Sequence, residues 1–197
     1  MPLIGDHAPE FHAMTTQGKI DFPADYKGSW VVLFSHPADF TPVCTTEFIA
    51  LSRMNETFES LNTKLIGLSI DSLHSHLGWI KSIEALNFNN EGKVKIPFPI
   101  IADISMNVAK KYGMLQTVAN TQTVRAVFII DPEGIIRTIL YYPMSTGRNI
   151  PEIIRILQSL QLNDKTHYST PANWQPGDDV VMGAPLTIEE AQERLES

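Results

Sequence analysis

One stretch constrains everything around it: Phe34-Ser35-His36-Pro37-Ala38-Asp39-Phe40-Thr41-Pro42-Val43-Cys44-Thr45-Thr46-Glu47. It follows an apolar run, Trp30 to Phe34, whose unbroken hydrophobicity predicts a strand buried on both faces over residues 30–36. It leads into Phe48, Leu51, Met54, Phe58 and Leu61, spaced at threes and fours, which predicts a helix running to about residue 61. Thr41 is placed to cap that helix, and Pro42 then falls at its first position, where a missing N–H costs nothing. Cys44 thus sits in the first helical turn, facing unpaired backbone N–H groups and the positive end of the helix dipole, both of which stabilise a thiolate. It is the sole cysteine in 197 residues. A lone cysteine is more often a small buried apolar residue, but a strand–loop–helix junction is where α/β folds place chemistry.

The rest of the chain supplies an alternation of strands and helices. A turn at Thr15-Thr16-Gln17-Gly18 separates two short strands, Lys64 to Ile70 reads as a second buried strand, and 73–86 as a helix. Asn87 to Lys95 is a surface loop, followed by a short extended piece at Phe98–Ile101 and a helix near 105–112. Val124 to Ile130, the turn Asp131-Pro132-Glu133-Gly134 and the return Ile135 to Tyr141 form a hairpin. Asn149 can cap a helix with Pro151 and Glu152 in its first turn and Ile150, Ile153, Ile154, Leu157 and Leu160 on its apolar face. The pattern predicts an α/β sandwich with a mixed central sheet flanked by helices. Residues 1–162 then form one domain, and 163–197 a short C-terminal arm of Pro, Gly and scattered apolar residues, closed by a short acidic helix from Thr187 to Leu195.

Bulk properties exclude several partners. A formal charge of −7 argues against nucleic acid and against anionic membrane surfaces. No apolar run approaches the roughly 20 residues of a membrane span. One cysteine cannot form an internal disulfide, and residues 1–7 carry no secretory pattern, so a cytoplasmic location is expected. His74 and His76 are two apart on a predicted helix and point to different faces, so no metal site is expected there; no phosphate-binding glycine pattern or other cofactor signature is present.

Arg125 stands out because it interrupts an apolar strand, where a permanent cation is costly unless paired with an anion. It either reaches solvent from a strand end or meets a negative charge inside.

The spacing Pro37-x-x-x-Thr41-x-x-Cys44 resembles the active-site signature of the peroxiredoxins, thiol peroxidases of thioredoxin-like fold, and the string from Leu33 to Glu47 is similar to the one-cysteine, peroxiredoxin-6 type. Leu68 to Ser72, Pro97 to Ile101, Thr146 to Asn149 and Thr170 to Trp174 add further matches. The resemblance implies that Cys44 attacks a peroxide and becomes a sulfenic acid, which an external thiol such as glutathione or thioredoxin resolves. By the same resemblance Thr41 orients the peroxide, Pro37 shields the thiolate, and Arg125 contacts the sulfur and the peroxide. His36 lines the pocket, Arg148 matches a recurrent arginine, and the arm docks on a neighbouring subunit of a homodimer or larger homo-oligomer. Glu47, one turn after Cys44, can hold Arg125 or Arg148, or act only as an acid near a helix N-terminus. A competing reading makes oxidation of Cys44 a switch for a holdase chaperone or a peroxide sensor. Relatives of this type credited with phospholipase activity use a serine matched by Ser29, but the position matching the aiding histidine is Pro23, so no such activity is expected.

Overall fold

The computed structural model describes residues 1–117, 120–183, 185, 187, 188 and 192, in two compact units, Met1–Ile150 and Pro151–Ser197. In the first unit β1 (Phe11–Thr15), β2 (Gly18–Phe22), β3 (Trp30–Ser35), β4 (Thr63–Ser69), β5 (Ile100–Ala102), β8 (Arg125–Ile130) and β9 (Ile136–Tyr142) make one sheet in the order β2-β1-β5-β4-β3-β8-β9. β3, β4 and β5 run parallel to one another, while β8 is antiparallel to both β3 and β9. The mixed sheet expected from the strand–helix alternation and the single hairpin is present.

All six residues of β3 and all six of β8 are buried, as their continuous apolar character requires. Alternation sorts them onto two layers. Val31, Leu33, Ala126, Phe128 and Ile130 join Phe11, Phe22 and Leu68 in one layer, which α4 (Asn107–Tyr112) covers through Val108, Ala109 and Tyr112. On the opposite layer Phe34 packs against Phe48 and Phe98 at 5.6 and 5.7 Å, and Phe48 against Trp79 at 4.6 Å. Phe48 belongs to α1 (Pro42–Arg53) and Trp79 to α3 (Leu73–Ala85). Arg125 shares this second layer by alternation with Val127 and Ile129, and so faces α1.

Three features differ from expectation. The helix expected to reach residue 61 breaks at Met54 (φ −94°, ψ 3°), and a separate α2 spans Asn55–Ser60. β6 (Leu115–Thr117) and β7 (Asn120–Thr123) form a small sheet that lacks the apolar alternation needed to read it from sequence. Thr41 has the extended backbone of an N-cap, but its hydroxyl donates to the Ala38 carbonyl (2.9 Å) and makes no cap bond.

In the second unit, the chain after α5 (Ile150–Thr166) folds back along that helix. Ser159 and Thr170 share a 2.6 Å hydroxyl bond, Arg155 Nη1 donates to the Trp174 carbonyl, and Ser169 bridges Val181. Trp174 is buried, its Nε1 donating to the Asp178 carbonyl at 3.1 Å. The acidic helix expected from 187 to 195 lies largely outside the described residues.

Candidate active site

Cys44 is the third residue of α1 and is fully buried. Pro42 opens the helix at its first position, and the backbone N–H of Cys44 is among those that a helix start leaves without an intrahelical acceptor. Antiparallel pairing of β8 with β3 brings Arg125 from 81 residues away, placing its Nη1 3.3 Å from Cys44 Sγ. Arg125 is only 3% exposed, which settles its two sequence readings: it meets an anion inside. The same Nη1 donates to Glu47 Oε2 at 2.7 Å, and its Nε and Nη2 hold the Met144 carbonyl at 2.9 and 2.8 Å.

Glu47 lies one turn along α1 from Cys44, on the same side of the helix. It pairs with both arginines. Arg148 donates from its backbone N–H and Nε to Oε1 at 2.8 and 2.9 Å, and from Nη2 to Oε2 at 2.6 Å. Its Nη1 reaches the carbonyls of Ser35 and Ala126, and its guanidinium lies over the Phe34 ring at 5.1 Å. Burial alone would raise the Glu47 carboxyl, but the charge and hydrogen bonds of Arg148, with the charge of Arg125, bring it below its ordinary value. Two guanidiniums thus share one carboxylate, and the cluster carries one excess positive charge beside the sulfur.

His36 is buried, with its ring edge-on to Phe48 at 4.9 Å and its Nε2 2.9 Å from Asp39 Oδ1; among the described residues no polar partner meets its Nδ1. Burial pushes its pKa below the ordinary value, against the hydrogen bond and charge of Asp39. Asp39 also accepts from His76 Nδ1 and from Ser75 Oγ. Although burial opposes it, the bonds to His36 and His76 hold its carboxyl well below the usual range. Pro37 is buried and Thr41 half-buried in the same loop. Neither Asp39 nor His76 was singled out from sequence as a site residue. His74 and His76 do point to different faces of α3, but the partners of His76 are Asp39 in the loop after β3 and the Ile101 carbonyl in β5.

His36, Asp39 and His76 place three ligand-type atoms within 4.8 Å of one another. They already satisfy each other as hydrogen-bond partners, with Asp39 accepting from both rings, and the Nδ1 of His36 lacks the outer partner that metal-bound imidazoles ordinarily have. The arrangement at Cys44 is of another kind. It combines a nucleophilic sulfur at a helix start with a fixed guanidinium donor, Arg125, and so can stabilise negative charge both on the sulfur and on an oxygen displaced when the sulfur attacks.

Two family models match this chain, the AhpC/TSA family over residues 4–139 and the C-terminal domain of 1-Cys peroxiredoxin over 159–197. A peroxiredoxin of Methanosarcina mazei is 61% identical, covering 99% of this chain and 90% of the relative. One from Hyperthermus butylicus is 52% identical over 98% and 83%. Among solved structures, a yeast mitochondrial 1-Cys peroxiredoxin, described as resolved via glutathione/thioredoxin systems, has a TM-score of 0.88 at 43% identity, covering 100% of this chain and 94% of the other. A cysteine-to-serine mutant of peroxiredoxin 6 of Arenicola marina has a TM-score of 0.87 at 39% identity over 98% and 89%.

Proposed function

The chain belongs to the AhpC/TSA family as a one-cysteine peroxiredoxin, a thiol-dependent peroxidase, and from that premise we propose how its residues divide the work. Cys44 sulfur attacks one peroxide oxygen, the O–O bond breaks, and the second oxygen leaves as hydroxide or alkoxide and takes up a proton. Cys44 is left as a sulfenic acid. One external thiol condenses with it, releasing water and forming a mixed disulfide; a second thiol restores Cys44 and carries away the disulfide. Glutathione and thioredoxin are the reductants we propose.

The observation that carries the reading is Arg125 Nη1, placed 3.3 Å from Cys44 Sγ and anchored on Glu47. It stabilises the attacking sulfur and the departing oxygen. Thr41 orients the peroxide, Pro37 keeps water from the sulfur, Arg148 and Glu47 hold Arg125 in place, and His36 lines the pocket. Stopped-flow peroxide consumption with an added thiol tests this. Turnover by the wild type and none by Cys44→Ser is the expected result; a single oxidation without turnover favours the chaperone or sensor reading.

We further assign the chain to the cytoplasm, supported by its single cysteine, which can form no internal disulfide. No described helix is long and apolar enough to cross a membrane. A homodimer is supported by the apolar residues that the C-terminal unit leaves exposed, Tyr168, Val181 and Met182. We propose that residues 163–197 form an arm that packs on a partner subunit. Light scattering at micromolar concentration should return a dimer or larger; a fully active monomer would refute it.

A further inference from the structure

Asp39 stands between Pro37 and Thr41, and its carboxylate is held from three directions. His36 Nε2 lies 2.9 Å from Oδ1, Ser75 Oγ 2.7 Å from Oδ2, and His76 Nδ1 3.0 and 2.9 Å from the two oxygens. Its backbone N–H donates to Asp71 Oδ2 at 3.1 Å, an oxygen that also accepts from Ser69 Oγ at 2.6 Å. The 36–41 loop is therefore tied to the end of β4 and to the first turn of α3.

His76 is the centre of this clamp. Its Nε2 is 3.1 Å from the Ile101 carbonyl oxygen, which can only accept, so Nε2 carries a proton. Its Nδ1 faces the Asp39 carboxylate at 2.9 Å. The ring has no exposed surface and is paired with a carboxylate almost as enclosed. Apolar side chains of similar volume often stabilise a core as well or better, so such a pair is a candidate device for fixing one conformation.

We propose that His76 is a positioning residue for peroxide reduction, acting through Asp39 on Thr41. The path is short. His76 fixes the Asp39 side chain, the preceding residue Ala38 offers its carbonyl to Thr41 Oγ1 at 2.9 Å, and that bond sets the direction of the hydroxyl. Arg125 and Arg148 reach Cys44 and Glu47 from β8 and from the segment before α5, by contacts that do not pass through the clamp. Loosening it disturbs how the peroxide is held and leaves the sulfur's electrostatic surroundings in place. The inference rests on the reading of Thr41 as the residue that orients the peroxide.

Two reactions of Cys44 measured side by side in the full chain test it: reduction of hydrogen peroxide, and alkylation by iodoacetamide, which needs no oriented O–O bond. His76→Gln should slow peroxide reduction roughly tenfold to a hundredfold, the scale of a small misplacement of a reacting group, while alkylation keeps the wild-type rate. Ser75→Ala removes one donor and spares the His76–Asp39 contact, so it should show the same split with a smaller loss; it serves as the deciding variant should His76→Gln not fold. Asp39→Asn combined with His76→Gln, which restores an amide pair, should be no slower than His76→Gln alone. Equal losses in both reactions, or an unchanged peroxide rate, overturn the proposal. Thr41→Val separates the two levels. If it leaves the peroxide rate intact, the parent reading of Thr41 is wrong; if it slows the reaction while His76→Gln and Ser75→Ala do not, only the role of His76 falls.

Discussion

Arg148 grips both oxygens of the Glu47 carboxylate, its Nε 2.9 Å from one and its Nη2 2.6 Å from the other. Both side chains are enclosed, so the pair cannot be broken without stranding charge. Glu47→Ala leaves two buried guanidiniums without a counter-charge and should cost about 3–5 kcal/mol of stability. Urea denaturation at neutral pH measures it.

The same carboxyl gives a pH dependence of known sign. Glu47 is held below its ordinary value of 4.5, so its contribution is present above that pH and is lost as the pH falls through the lower folded value. Asp39 is depressed as well and has the same sign. The wild type should lose stability steadily below about pH 4.5, and Glu47→Gln should show a shallower loss there. Denaturation midpoints across an acid series decide between the two slopes.

Arg125→Ala removes the donor beside the sulfur and should slow peroxide reduction by about a hundredfold to a thousandfold, the usual cost of losing one preorganised donor at developing charge. Arg125→Lys should recover little, because the native guanidinium makes contacts with Cys44, Glu47 and Met144 at once and an ammonium cannot reproduce that fork. Stopped-flow rates for both variants provide the check.

The oxidised chain can hold no internal disulfide, since Cys44 is its sole cysteine. Mass spectrometry after peroxide treatment should show oxygen added to Cys44, advancing to sulfinic acid when peroxide is in excess and thiol is withheld. A disulfide between two Cys44 residues as the main catalytic product would contradict the scheme.

Purified protein should not hydrolyse phospholipid. Ser29 does line a cleft with Phe22, Pro23, Tyr26 and Glu133, but among its described lining residues there is no histidine to take the hydroxyl proton. The Ser29 hydroxyl contacts Asn62 Oδ1 at 3.4 Å. Lipid hydrolysis that persists in Cys44→Ser and disappears in Ser29→Ala would show this to be wrong.

Much of the scaffold was legible because its signals are local. An unbroken apolar run marks β3, and a proline at the first helical position puts Cys44 in the first turn of α1. Arg125 could be singled out by the cost of a cation in an apolar strand, with Glu47 one of two readings for its partner. What escaped is joined across the chain. Local pattern makes Arg148 a loop residue, and only the family resemblance and the nearness of Glu47 to Cys44 point to its pairing with Glu47 across 101 residues. Its bond to the Ser35 carbonyl across 113 has no local signal. His76 has His74 as its nearest histidine along the helix, while its partner Asp39 lies 37 residues upstream. Local patterning also failed at Met54, where helix-compatible spacing continued through a break in the backbone.

The separation between Cys44 and its arginines has a consequence for synthesis. At ribosomal rates of about 5–20 residues per second, Arg148 leaves roughly 5 to 20 s after Glu47. Until β8 has paired with β3, no guanidinium stands beside the sulfur. A growing chain thus exposes its thiol to cellular peroxide before the groups that would hurry their reaction have arrived, and assembly of the sheet is what arms it.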